Sequence, residues 1–318
     1  MRVTRNILTR RRGPGWIPLI VLLIASPAAL RAQAWTKDSG QVYLKLAYGS
    51  STASEQYTFD GTVKEYADNV DDNAFFDRSV YLYGEAGLTP DITLIASLPY
   101  KRVVIRDAAF RYRTFAFGDL GLGLRHTLND VFDLRGSANS AALNAGVSIP
   151  LGYTRNYTPS AGAGQINLEL GLSAGRSFHP FPAYVQAGLG YRHRTSLFFT
   201  STATPCAEGV DRNCFADTKP TFGDELYGSL ESGVTIAEKV FLQGILASTW
   251  SVKAPETGFT VTNPVPTRQR FVKVGFGSAL MLPAGLTTNV QGFYTIAGQN
   301  SVRSFDIFFG IDVKFTAF

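Results

Sequence analysis

Residues able to do chemistry recur two positions apart in this 318-residue chain, separated by apolar residues. Tyr43 and Lys45, Tyr83 and Glu85, Asp119 and Arg125, Glu169, Arg192, Glu231, and Asp312 with Lys314 all fall on such a polar parity. Acids and bases crowded onto one face of a sheet have two uses. They pair with one another, which is a structural role, or they line a polar conduit whose charges and tyrosines select what passes. Nucleophilic chemistry has one candidate, His193 with Ser196 close by, which would suit a lipid hydrolase on a membrane wall but lacks a matching acid or amide. The other histidines, His126 and His179, fall toward the opposite strand ends. No phosphate-binding loop, zinc-protease helix or GxSxG elbow occurs. Cys206 and Cys214 have no His or third Cys near them, as a zinc site would require. They read as a disulfide closing a short loop, worth about 2–3 kcal/mol in the chain-entropy model. No cofactor, metal or catalytic role is expected.

The elements that must position these residues are strands. In the last stretch Phe305, Ile307, Phe309, Ile311, Val313 and Phe315 share one parity, while Asp306, Phe308, Gly310, Asp312 and Lys314 share the other. Such a strand meets oil on one side and something wet on the other. Its length suits a tilted membrane strand of roughly 9–11 residues. The same alternation returns in Val42, Leu44, Leu46 and Tyr48, in Val80 and Leu82, in Leu94 and Leu98, in Leu168, Leu170 and Leu172, and onward. The pattern predicts about twelve strands, an even number, joined mostly by short turns and long loops in alternation. An all-β, antiparallel, up-and-down transmembrane barrel follows, with the long loops outside the cell. The connection at residues 129–140 is the exception, a long one on the inner side. A soluble secreted β-protein is the alternative fold.

Residues 1–34 read as a secretory signal, with a basic start, an apolar run interrupted by Pro18 and Pro27, and Ala32-Gln33-Ala34 before Trp35. Residues 35–318 are then the barrel domain of an exported chain. Taking the signal's six arginines from the 30 basic residues leaves 24, against 25 acidic ones. Nucleic-acid binding loses its support. Twelve strands lie between barrels that fill themselves and those that hold an open channel, so the pore should be narrow or plugged. About six residues separate Trp35 from the first strand, too few for an N-terminal plug, and the acidic first loop is the expected constriction. Lys101, Arg102, Arg106, Arg111 and Arg113, in an expected second loop, either bind lipopolysaccharide phosphates or are simply solvated.

The stretches at residues 83–100, 118–125 (Gly-Asp-Leu-Gly-Leu-Gly-Leu-Arg) and 146–152 (Gly-Val-Ser-Ile-Pro-Leu-Gly) resemble the meta-pathway phenol-degradation family of outer-membrane proteins. That family is distantly similar to long-chain fatty-acid and aromatic-hydrocarbon channels. The resemblance implies passive uptake of small apolar or aromatic molecules across the bacterial outer membrane. The aromatic C-terminal strand resembles the signal by which outer-membrane barrels are recognised for assembly, so the barrel assembly machinery and outer-membrane lipid are implied partners. The rival from another class is a closed barrel acting through its loops as an adhesin or anchor.

Overall fold

The computed structural model describes residues 33–66, 74–106, 111–153, 159–198, 222–252 and 268–317. The signal segment up to residue 32 and the Cys206–Cys214 pair lie outside them. Fourteen strands form one antiparallel sheet: β1 (Gln41–Tyr57), β2 (Val63–Glu65), β3 (Phe75–Thr89), β4 (Ile92–Arg106), β5 (Arg111–Phe117), β6 (Asp119–Thr127), β7 (Asn139–Pro150), β8 (Gln165–Ser177), β9 (Ala183–Phe198), β10 (Glu225–Ile236), β11 (Val240–Ser251), β12 (Arg270–Met281), β13 (Leu286–Gln299) and β14 (Ser301–Thr316). They occupy twelve places in a ring. β2 pairs only with β1, and β5 and β6 share one place, broken at Gly118, with both lying against β4. β14 closes the ring on β1, from Gln41 opposite Thr316 to Tyr57 opposite Ser301.

The barrel is inverted relative to a water-soluble protein. Leu46, Ile311 and Phe276 are 57%, 58% and 72% exposed, while Arg125 and Glu225 are fully buried. The parity read in the sequence decides this, because a two-residue period sends alternate side chains to opposite faces. Closure gives each of the twelve places two paired neighbours, the condition for a sheet to sit in hydrocarbon. The chain is therefore a transmembrane barrel of the bacterial outer-membrane type.

The expected loops are shorter than the sequence suggests. β1 continues to Tyr57, and β4 and β5 run on to Arg106 and from Arg111, so most of the basic second loop is strand. Above the lipid both faces of a strand meet polar surroundings, so apolar alternation fades while backbone pairing continues. At the inner end the turns are tight, as at Pro90-Asp91 and the 3-10 turn Pro283–Gly285, except the connection from β6 to β7. That longer connection is pinned by Arg135, which bonds Asp130 and reaches Asp91 at 3.1 Å. The Arg135 hydrogen bond holds the Asp130 carboxyl below its ordinary range. The outer end is not uniformly long-looped either: β13 turns into β14 at Asn300 alone, with its φ at +48°.

Candidate functional site: a strapped lumen

The eleven polar-parity residues nominated from the sequence all lie on the face opposite the exposed apolar belt. The structure gathers most of them into separate networks. Glu85, on β3, accepts from Tyr83 at 2.5 Å and pairs with Arg125 of β6 at 3.4 Å. Arg125 also donates to Asn144 of β7 at 3.1 Å. Across the ring, Arg192 of β9 binds Glu169 of β8 at 2.8 Å and Glu225 of β10 at 2.6 Å, and Arg194 adds a second contact to Glu225 at 2.9 Å. Asp119 accepts from Tyr153, and Glu231 from Tyr184. Asp312 accepts from Asn289 at 2.8 Å and stands opposite Lys45 in the β1–β14 register, while Lys314 stands opposite Tyr43 at the inner rim. Sequence reading places Glu225 on the inner face without its arginine partners and missed Arg194 and the Lys273–Asp306 pair, because parity places a residue on a face without naming its partner.

The segment before β1, expected to be too short for a plug, enters the lumen as a strap along the wall. Residues 33–38 lie against the inside of half the ring. Ser173 and Ser140 donate to the carbonyls of Gln33 and Ala34 at 2.7 and 2.6 Å, and the Ala34 amide donates to Gln186 at 3.2 Å. Arg125 donates to the Trp35 carbonyl at 3.2 Å, the Lys37 amide donates to Thr93 at 2.8 Å, and the Lys37 ammonium pairs with Glu85 at 3.2 Å. The Trp35 ring meets Tyr184 edge to face with centroids 5.7 Å apart. An extended chain covers about 3.3–3.6 Å per residue, so six residues reach roughly 20 Å, enough to span from β3 to β9. Glycines make room for it: a Cβ at Gly87 would collide with the Asp38 carbonyl, and one at Gly175 with the Trp35 ring and, at 2.9 Å, with Ala34. Gln33 and Ala34 would be lost on cleavage after Ala34, and the strap then holds by Trp35, Thr36 and Lys37.

The wall facing these ion pairs is aromatic. Tyr81 of β3, Phe308 of β14 and Phe293 of β13 form a chain of edge-to-face contacts at 5.8 and 5.9 Å, continued by Ile245, Ala247 and Phe271. Gly49 lets this wall lie flat, since a Cβ there would stand 2.6 Å from the Phe308 ring and 2.9 Å from Tyr81. Gly49→Val should cost about 1–3 kcal/mol by overpacking, read as a lowered urea midpoint of the folded barrel in vesicles; an unchanged midpoint would show the ring free to swing away.

The ladder between β13 and β14 ends at Tyr294 opposite Phe305. Beyond it β13 leans to β12, with Gln299 opposite Arg270, and β14 to β1, with Ser301 opposite Tyr57. Side chains close this unpaired stretch: the Thr295 and Ser304 hydroxyls are 3.4 Å apart, Tyr57 donates to the Thr295 carbonyl at 3.2 Å, and Arg303 lies over the Tyr294 ring at 5.6 Å.

His193 does find an acid. Its Nδ1 lies 3.0 Å from Asp224, which also accepts from Tyr191 at 2.5 Å and from the Arg194 amide at 2.9 Å. The sequence expectation of a histidine without an acid is corrected, but Ser196 is no part of this cluster.

No protein-family model and no curated protein matches the sequence. Among solved structures, the COG4313 outer membrane channel from Pseudomonas putida F1 superposes with a TM-score of 0.67 at 15% identity, over 89% of this chain and 98% of that one. The two share one fold. The translocator domain of the autotransporter NalP from Neisseria meningitidis aligns at a TM-score of 0.49 and 12% identity, over 87% of this chain and 88% of its own.

Proposed function

We propose that this barrel is a passive channel for small apolar or aromatic molecules crossing the outer membrane, as the resemblance to the phenol-degradation family implies. The aromatic wall of Tyr81, Phe293 and Phe308 inside a closed barrel carries the reading. Packing accounts for the buried Phe293, whereas Tyr81 and Phe308 stay partly exposed on the inner face, where a passing solute can meet them. A ring-bearing solute gains edge-to-face contacts there, each worth about 0.5–1.5 kcal/mol. That is attraction weak enough to release it again. The COG4313 protein, the best-fitting structure above, is described as a channel, and this supports the same role here. The polar residues Tyr43, Lys45, Tyr83, Glu85, Asp119, Arg125, Glu169, Arg192, Glu231, Asp312 and Lys314 then set the narrow side of the path, and the strap restricts its inner mouth. The C-terminal strand β14, which closes the ring, is the segment the assembly machinery would read.

Uptake of a labelled neutral aromatic by cells lacking the protein, complemented with wild type or with Phe293→Ala and Phe308→Ala, tests this. Wild type should restore uptake and the double variant should restore less. Equal uptake with and without the protein sinks the channel. If flux is absent and removal of residues 58–74, between β1 and β3, abolishes surface attachment, the loop-mediated alternative takes its place.

A further inference from the structure

We propose that the outer wall of the β3–β4–β5 hairpin is a binding site for the phosphate groups of an outer-leaflet lipid. The register of the hairpin builds it. Phe309, Tyr48, Val80, Tyr100 and Phe117 lie in one paired row of the lipid-facing parity, with Tyr100 and Phe117 in edge-to-face contact at 5.1 Å. One step outward on the same face, Arg78 stands opposite Arg102 and Arg102 opposite Phe115; the next holds Phe76, Val104 and Arg113, and the last Arg106 opposite Arg111. Apolar residues thus give way to an aromatic row and then to arginines. This is the order in which acyl chain, interface and headgroup succeed one another across a leaflet.

The arginines converge. Arg78, Arg102, Arg106 and Arg111, with Phe76 and Val104, line a cavity of about 180 Å³. Three guanidiniums lie over rings, Arg102 at 5.3 Å from Phe115, and Arg106 and Arg78 at 5.0 and 5.8 Å from Phe76, which fixes their direction before any ligand arrives. Lys101, the one expected loop cation on the opposite parity, is paired inward with Asp77 at 3.3 Å. Among the described residues no carboxylate pairs with Arg78, Arg102 or Arg111, whereas Arg303 elsewhere on the outer wall is met by Glu55 at 2.7 Å. Arg78, Arg102 and Arg111 around one cavity repel one another until an anion enters, and the forked geometry of arginine matches phosphate. A lipid supplies that anion with its chains already lying on Val80, Leu82 and Leu94. The LPS-binding alternative for the basic stretch therefore rests on strand residues of one face, not on a loop.

The test uses the whole barrel purified in detergent and native mass spectrometry, with three probes: a bis-phosphorylated lipid A, its dephosphorylated form and inorganic phosphate. Wild type should retain the phosphorylated lipid. Arg78→Gln/Arg102→Gln/Arg111→Gln should lower its occupancy by at least about tenfold, while Arg135→Gln/Lys239→Gln at the inner end should leave it unchanged. Equal retention of the dephosphorylated lipid, or full retention by the triple variant, overturns the proposal. Displacement by inorganic phosphate with no preference for the lipid shows a soluble-anion site and overturns the lipid assignment. Should the triple variant fail to fold, the comparison of phosphorylated with dephosphorylated lipid on wild type decides alone.

Discussion

A Gly87→Val/Gly175→Val barrel should pass a labelled aromatic solute about tenfold or more faster than wild type. Both substitutions leave the lipid-facing wall untouched and place a side chain where the strap lies, against the Asp38 carbonyl at one end and the Trp35 ring at the other. Overpacking of this kind costs about 1–3 kcal/mol per site. At Gly87 the obstacle is backbone, which cannot rotate away, so the upper part of that range applies. The strap is held by hydrogen bonds worth about 0.5–1.5 kcal/mol each, a sum of the same order as the penalty. About three to six kcal/mol against the docked strap shifts its docked-to-free ratio by roughly 100- to 20,000-fold. Flux then rises as far as the inner mouth is the narrowest point. The measurement is initial uptake, with Gly292→Ala as a control, since a Cβ there has no neighbour closer than 4.0 Å. Unchanged uptake in a barrel that still assembles would show that the strap does not limit passage.

Arg125→Met should destabilise the barrel by about 3–5 kcal/mol. The guanidinium is fully buried and contacts Glu85, Asn144 and the Trp35 carbonyl together. Removing it leaves Glu85, itself 2% exposed, with Lys37 as its remaining cationic partner, and Lys37 belongs to the strap. The loss comes chiefly from stranding a buried carboxylate rather than from the worth of the pair. Arg125→Met/Glu85→Gln should therefore recover much of it. Urea unfolding of the refolded barrel in vesicles reads both variants; a double variant no more stable than the single one would place the cost in lost packing instead. Because Arg125 also holds Trp35, the single variant should share part of the flux increase of the glycine variants. That coupling separates a stability defect from a strap defect.

The reach of sequence reasoning differs among particular elements. β14 and the inner parts of β1, β3 and β4 were legible because each crosses lipid on one face, and that requirement acts on every strand separately. The outer parts of β4 and β5 were not. Arg102, Arg106, Arg111 and Arg113 alternate with Val103, Ile105 and Tyr112, but without lipid to demand an apolar face the pattern looks like a charged loop. Asp224 escaped notice for a different reason: it ends a connection, 31 residues from His193, and only the β9–β10 register brings the two together.

The amino-acid order alone settled that the chain rolls into a membrane barrel of about twelve strands and which side of each strand is wet, since a bilayer imposes that rule locally, two residues at a time. Which acid meets which base, that rings gather on one wall, that a short leading segment lies inside half the ring, and that arginines converge outside, were decided by the closed tertiary structure. Those features depend on the stagger between strands and on which of them face one another across the bore, quantities that no single strand's periodicity contains.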